Sequence, residues 1–272
     1  MTDEERRALE DLDARLKIIL PPEYQDTYDS VQPVSMGSAG LKFDSDGTVA
    51  WDEIWGSFCD LAMAGGPPHK GTLLEAAPAA EIEAQPARHQ EVVEEICRGM
   101  AMVALLRTGE SPVRGWCRME CDHEAMAGWL MRAIVMENIA ARAEGRYLDV
   151  PASPAFRLEK EIKNVITAVA KTVHYWEGHM PFGQQRAIAQ LFAAMDAEAP
   201  LVTAADGWRG VEGGSVRRAI WMMRALVVNN VLSRREGTVL FVPVNEAIDP
   251  AGSRVARILA AVQQLAAARD VR

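Results

Sequence analysis

Residues 115–151 read GWCRMECDHEAMAGWLMRAIVMENIAARAEGRYLDVP, and residues 207–243 read GWRGVEGGSVRRAIWMMRALVVNNVLSRREGTVLFVP. Laid side by side without gaps, 92 residues apart, they agree at 16 of 37 positions. The shared residues include Gly115/Gly207, Trp116/Trp208, Glu120/Glu212, Trp129/Trp221, Arg132/Arg224, Asn138/Asn230, Gly145/Gly237 and Pro151/Pro243. Similarity at a fixed spacing is the signature of a repeated structural unit, because each copy must satisfy the same local packing.

Period and punctuation set the expected structure of that unit. Ala127, Met131, Val135, Asn138 and Arg142 recur at helical spacing. Asp122 in one stretch and Ser215 in the other are placed to cap a helix start with a side-chain oxygen. Gly145 and Gly237 are placed to stop it in a left-handed conformation. The runs 146–150 and 238–242 are short and β-prone, each closed by proline, and 116–120 reads as a strand before the helix. Further helices are expected over 154–176 and 250–269. The unit therefore reads strand, helix, strand, helix.

Beyond these two stretches, a diverged third copy is expected nearer the N-terminus. A shift of 74 residues sets Trp55 on Trp129, Gly71 on Gly145 and Leu74 on Leu148. It would comprise a hairpin at 41–50 turning at Asp46-Gly47, helices over 52–64 and 88–108, and a strand at 71–75. An amphipathic helix over 181–198 accounts for the difference between the two spacings, and a helix over 3–18 opens the chain. The expected architecture is α/β or α+β: one domain of two clear copies and one diverged copy around a shared sheet. Its units span roughly 41–110, 115–180 and 207–270.

Composition narrows the class. With 272 residues, 49% hydrophobic and 25% charged, the chain can bury a core without disulfide or metal staples. A net charge of -9 opposes phosphate-backbone binding, so nucleic acid is not an expected partner. The charged start over residues 1–7 lacks the apolar core of a signal peptide, and no apolar run reaches bilayer length. A cytoplasmic protein with no membrane partner is expected. The many alanines and 13 methionines suggest a homodimer through tightly packed helices.

Candidate chemistry follows from residue type and placement. Glu120 and Glu212 each precede an arginine, Arg132 and Arg224, by 12 residues. Either these form carboxylate–guanidinium pairs tying strand to helix, or the carboxylates act as acid and base while the arginines grip an anion. Asn138 and Asn230 are read as amides with a fixed partner, either another element or a ligand. The loop Gly65-Gly-Pro-Pro-His-Lys-Gly71 is stiff and carries His69 and Lys70, a proton donor beside an anion-binding cation. Cys117, Cys121 and His123 would share one face if the strand ran through residue 123, but no further ligand pair has metal-site spacing. No metal and no cofactor is assigned.

The expected function is an enzyme acting on a small anionic metabolite or cofactor precursor, bound in a crevice between repeat units. His69, His123, Glu120 and Glu212 would transfer protons. Lys70, Arg132, Arg224, Asn138 and Asn230 would bind substrate. The alternative is a non-catalytic small-molecule-binding or assembly protein.

Overall fold

The computed structural model of the chain describes residues 3–25, 41–54, 73–195 and 207–271. Helices α1 (Asp3–Ile19), α2 (Pro22–Gln25), α3 (Ala79–Ala84) and α4 (Pro86–Ala104) precede strands β1 (Arg107–Glu110) and β2 (Trp116–Glu120). Then come α5 (Glu124–Val135), β3 (Arg142–Glu144) and β4 (Tyr147–Pro151). A π-helical turn, Leu158–Ile162, leads into α6 (Lys163–Gly178), followed by α7 (Phe182–Met195). The chain closes with β5 (Trp208–Glu212), α8 (Val216–Val228), β6 (Arg234–Glu236), β7 (Val239–Pro243) and α9 (Ser253–Ala268). Both sheets are antiparallel throughout, so the class is α+β. No helix among the described residues is long and apolar enough to cross a membrane.

The chain groups into two compact units, Val34–Gly178 and Met1–Pro33 with His179–Arg272. In the first, the sheet order is β1-β2-β4-β3. On β2, Cys117 and Met119 are buried, while Trp116, Arg118 and Glu120 alternate onto the opposite face. Leu148 and Val150 of β4 join the buried side, and Ile96 and Met100 of α4, Leu130 and Ile134 of α5 and Ile166 of α6 are buried as well. Helices α4 and α6 come so close at Gly99 that a Cβ there would stand 2.3 Å from Ile166 Cδ1. Only glycine fits.

In the second unit the sheet order is β5-β7-β6, and α8 buries Ile220, Trp221, Met222, Met223 and Leu226. Helix α1 packs with α7, α8 and α9. Its Arg15 donates to Asn229 Oδ1 at 3.1 Å, its Asp13 pairs with Arg269, and Gln184 of α7 donates to the Leu20 carbonyl at 2.6 Å. Met100, Met119, Met126, Met131, Met222 and Met223 are buried within the chain itself. Those methionines fill the chain's own core.

The two similar stretches share an order of elements that differs from the expected one. It is strand, helix, strand, strand, helix, since 142–144 and 234–236 are strands rather than helix ends. The reason lies at Asn138 and Asn230, whose φ values are +58° and +61°. Asparagine tolerates this left-handed region better than most residues, so the helix period stops there. These asparagines are therefore backbone breakers, not amides within a helix. Gly145 and Gly237 (φ +55° and +57°) sit in the two-residue turns of the hairpins that follow instead of capping helices. Register also corresponds: Trp116 faces Pro151 and Glu120 faces Tyr147, as Trp208 faces Pro243 and Glu212 faces Val239.

Other boundaries move modestly. Helix α4 ends at Ala104 instead of Thr108, α6 begins only after the π turn, and α7 occupies 182–195 of the expected 181–198. The hairpin near the N-terminus is present, with Phe43 bridged to Val49 and Gly47 at φ +85°. Lys171 of α6 is buried and paired with buried Glu137 at 2.7 Å. Residues 51–54 are helical; the rest of the expected helix to 64 and the His69/Lys70 loop lie outside the described residues.

Leu105 closes α4 at φ +55° while 87% exposed. A leucine there carries the left-handed backbone cost and gains no burial. Leu105→Gly is expected to raise unfolding free energy by about 0.5–1 kcal/mol in urea denaturation.

Candidate functional site

The strongest polar constellation among the described residues lies on the outer face of the four-stranded sheet, and register builds it. Cα pairing places Gly109, Arg118, Asp149 and Arg142 in one transverse row across β1, β2, β4 and β3. Side chains in such a row share a face, so Asp149 has an arginine directly opposite on either side. Arg118 Nε donates to Asp149 Oδ1 at 2.7 Å, and its Nη2 donates to Oδ2 at 3.0 Å. Arg142 Nε and Nη2 donate to Oδ2 at 2.9 and 2.8 Å. Ser111, two residues beyond Gly109, adds its hydroxyl to Oδ2 at 3.0 Å.

Aromatic rings hold both guanidiniums in place. Arg142 lies over Trp116 at 4.6 Å and Arg118 over Tyr147 at 4.9 Å. Flat guanidiniums stack on such faces by cation–π attraction. Asp149 is only 2% exposed. Burial would raise its pKa, but the hydrogen bonds from Arg118, Arg142 and Ser111 outweigh that and hold it below the ordinary aspartate value. The two arginines meet this one buried carboxylate, with exposed Glu144 reaching Arg118 at 3.4 Å from the rim.

Both arginines bind Asp149 through Nε and Nη2. Among the described residues, Nη1 of each meets no acceptor. Gly109 ends the row beside Arg118, and a Cβ there would meet nothing within 4 Å. The row thus leaves an unused Nη1 on each arginine, with open space at Gly109 beside Arg118.

The corresponding row of the other sheet lacks this centre. Gly210 stands where Arg118 does, and Phe241 where Asp149 does. Arg234, the counterpart of Arg142, lies over Trp208 at 5.3 Å and Phe241 at 4.7 Å and pairs with Glu236 at 2.8 Å.

The residues singled out from sequence are dispersed. Glu120 pairs with Arg107 at 3.4 Å and with Arg146, and not with Arg132. Arg132 is buried on α5 and donates to the Gly128 carbonyl at 2.7 Å. Exposed Glu212 accepts the Gly214 amide at 3.0 Å; this bond and one from Thr238 hold its carboxyl below the usual range, and Arg224 is not its partner. The 12-residue spacing failed as a pairing rule because strand end and helix middle face different neighbours. His123, not Asp122, caps α5: its Nδ1 accepts the Met126 amide at 3.2 Å, as Ser215 accepts the Arg218 amide in α8. His123 also meets Trp176 edge-on at 5.6 Å. Among the described residues no group of three His, Cys, Asp or Glu side chains could hold a metal ion. His69 and Lys70 lie outside the described residues.

A shallow cleft of about 260 Å³ opens between the 43–49 hairpin, α4 and the π turn. Its charges are spent on one another and on backbone. Arg98 meets Glu95 at 2.7 Å and the Val49 carbonyl at 2.9 Å, Trp51 donates to Glu95 at 2.8 Å, and Arg88 reaches the Phe156 carbonyl at 2.7 Å. The Asp149 row is the better candidate. No family model, no curated protein and no solved structure matches this chain.

Two outcomes are expected. Asp149→Asn should cost about 2–3 kcal/mol at neutral pH, below the range for a fully buried pair because both guanidiniums touch water. Asp149 has a depressed folded pKa, so its stabilisation is complete above the unfolded value and vanishes as pH falls through the folded one. The gap between wild type and variant, read by urea denaturation, should close below about pH 3.9. His123→Ala should cost about 1 kcal/mol through the lost cap, while His123→Ser should retain it, checked by the same measurement.

Proposed function

We propose that this protein binds a small organic anion on the outer face of the β1-β2-β4-β3 sheet, at the Nη1 groups that Arg118 and Arg142 turn away from Asp149, and that it arose from a duplicated β-α-β-β-α module. The binding reading rests on a pair of arginines oriented by one buried carboxylate, each with Nη1 left over. An anion meeting donors already held in position loses little to side-chain ordering, which favours binding. An anion oxygen can accept from either Nη1 in a charge-assisted hydrogen bond.

The duplication reading draws on the 16 shared positions and on corresponding register, turn glycines and left-handed asparagines in the two stretches. Residues present in both serve backbone and core. The anion centre sits on residues that differ, which is where specialisation is expected after duplication.

Binding rather than catalysis is the better-supported role, because the described proton-transfer candidates have stability functions. Glu120 is ion-paired, Glu212 accepts backbone amides and His123 caps a helix. The enzyme reading is favoured by one sequence observation, the 65–71 loop with His69 and Lys70. Under it, a ligand found by binding would also be turned over, and His69→Ala with Lys70→Ala would abolish turnover while leaving binding at Arg142 intact.

Isothermal titration of the full chain against acetate, succinate, citrate and inorganic phosphate tests the proposal. At least one organic carboxylate should bind saturably. Arg142→Gln should weaken it at least tenfold, about 1.4 kcal/mol, while Arg234→Gln should leave it unchanged and both variants keep cooperative melting. Absence of saturable binding by every probe, or undiminished binding by Arg142→Gln, overturns it.

A further inference from the structure

We propose that Cys97 and Cys117 form a peroxide-responsive disulfide linking α4 to β2. The placement is geometric. Cys117 Sγ points from β2 to the Val93 carbonyl of α4 at 3.8 Å. Val93 is one helical turn before Cys97, so both lie on the helix face toward the sheet. Thr108 of β1 donates its hydroxyl to the Cys97 carbonyl at 2.8 Å, drawing that turn of α4 onto the strand pair. The two thiols are near enough for each to shift the ionisation of the other.

Their surroundings divide the roles. Cys97 is half-buried, and the neighbouring Cys117 side chain lowers its pKa against the opposing effects of burial and Glu110. Cys117 is fully buried, and the neighbouring Cys97 together with burial raises its pKa well above the ordinary value. A thiolate attacks peroxide and a thiol does not, so oxidation begins at the more accessible, more acidic sulfur. Cys121, two residues beyond Met119 in the buried pattern of β2, is excluded by burial that pushes its thiol up to about 12.

The chemistry balances with hydrogen peroxide as oxidant. The Cys97 thiolate attacks one peroxide oxygen, the O–O bond breaks, and protonation of the departing hydroxide gives water and a Cys97 sulfenic acid. Cys117 then turns its Sγ from the Val93 carbonyl, attacks the Cys97 sulfur and expels a second water. The protein loses two electrons and two hydrogens, and peroxide is reduced to two waters.

The test treats the full chain with hydrogen peroxide, alkylates the remaining thiols and maps peptides by mass spectrometry without reduction. Two of the four cysteines should become resistant to alkylation, with Cys97 and Cys117 recovered in one linked pair that dithiothreitol separates. Cys117→Ser should accumulate a dimedone-reactive sulfenic acid at Cys97, and Cys97→Ser should abolish the link. The wild-type map needs no variant to fold. Four alkylatable thiols after peroxide, or a link that pairs Cys59 or Cys121 instead, overturns the proposal.

Discussion

The arrangement on the outer sheet face depends on a two-residue turn. Glu144 pairs with Tyr147 across Gly145-Arg146, with positive φ at the first turn position alone. Glycine at that position suits a tight hairpin whose twist matches the strands. The turn sets the β3–β4 register and therefore which side of the sheet each residue occupies. A slip of one residue would carry Asp149 into the apolar core and Leu148 or Val150 out of it. With the register held, Asp149 lies between Arg118 and Arg142 and its charge is met.

That same hairpin in the second unit supports a different row. Phe241 takes the aspartate position and Gly210 the first arginine position, so Arg234 turns to two rings and to Glu236. A backbone frame thus accepts either an ionic or an aromatic centre. Burying an aspartate among carbons is costly unless charged donors surround it, so the arginines and the acid must occur together. Phe241 has no such requirement.

Much of the fold was legible from period and punctuation. The helix cores at 124–135 and 216–228, the strands at 116–120, 147–151 and 239–243 and the hairpin at 43–49 follow from apolar spacing and turn residues. Helix ends did not, because Asn138 satisfies the helical period by type while its backbone leaves the helix. The short strands 142–144 and 234–236 hold too few residues to display alternation. Of the candidate site, Arg118 and Asp149 were visible as differences between otherwise similar stretches, and an acid inside the β-prone run Tyr147–Pro151 was the available signal. Attention to shared residues passed over them.

Where apolar side chains recur and where the backbone must turn are local properties of neighbouring residues, so the amino-acid order alone carries them. Most element types and the likeness of two stretches follow from it. Which charges meet is a matter of long-range folding. Glu120 joins Arg107 and Arg146 rather than Arg132, and Asp149 joins Arg118 and Arg142, because pairing depends on strand register and sheet face, which bring together residues far apart in the chain.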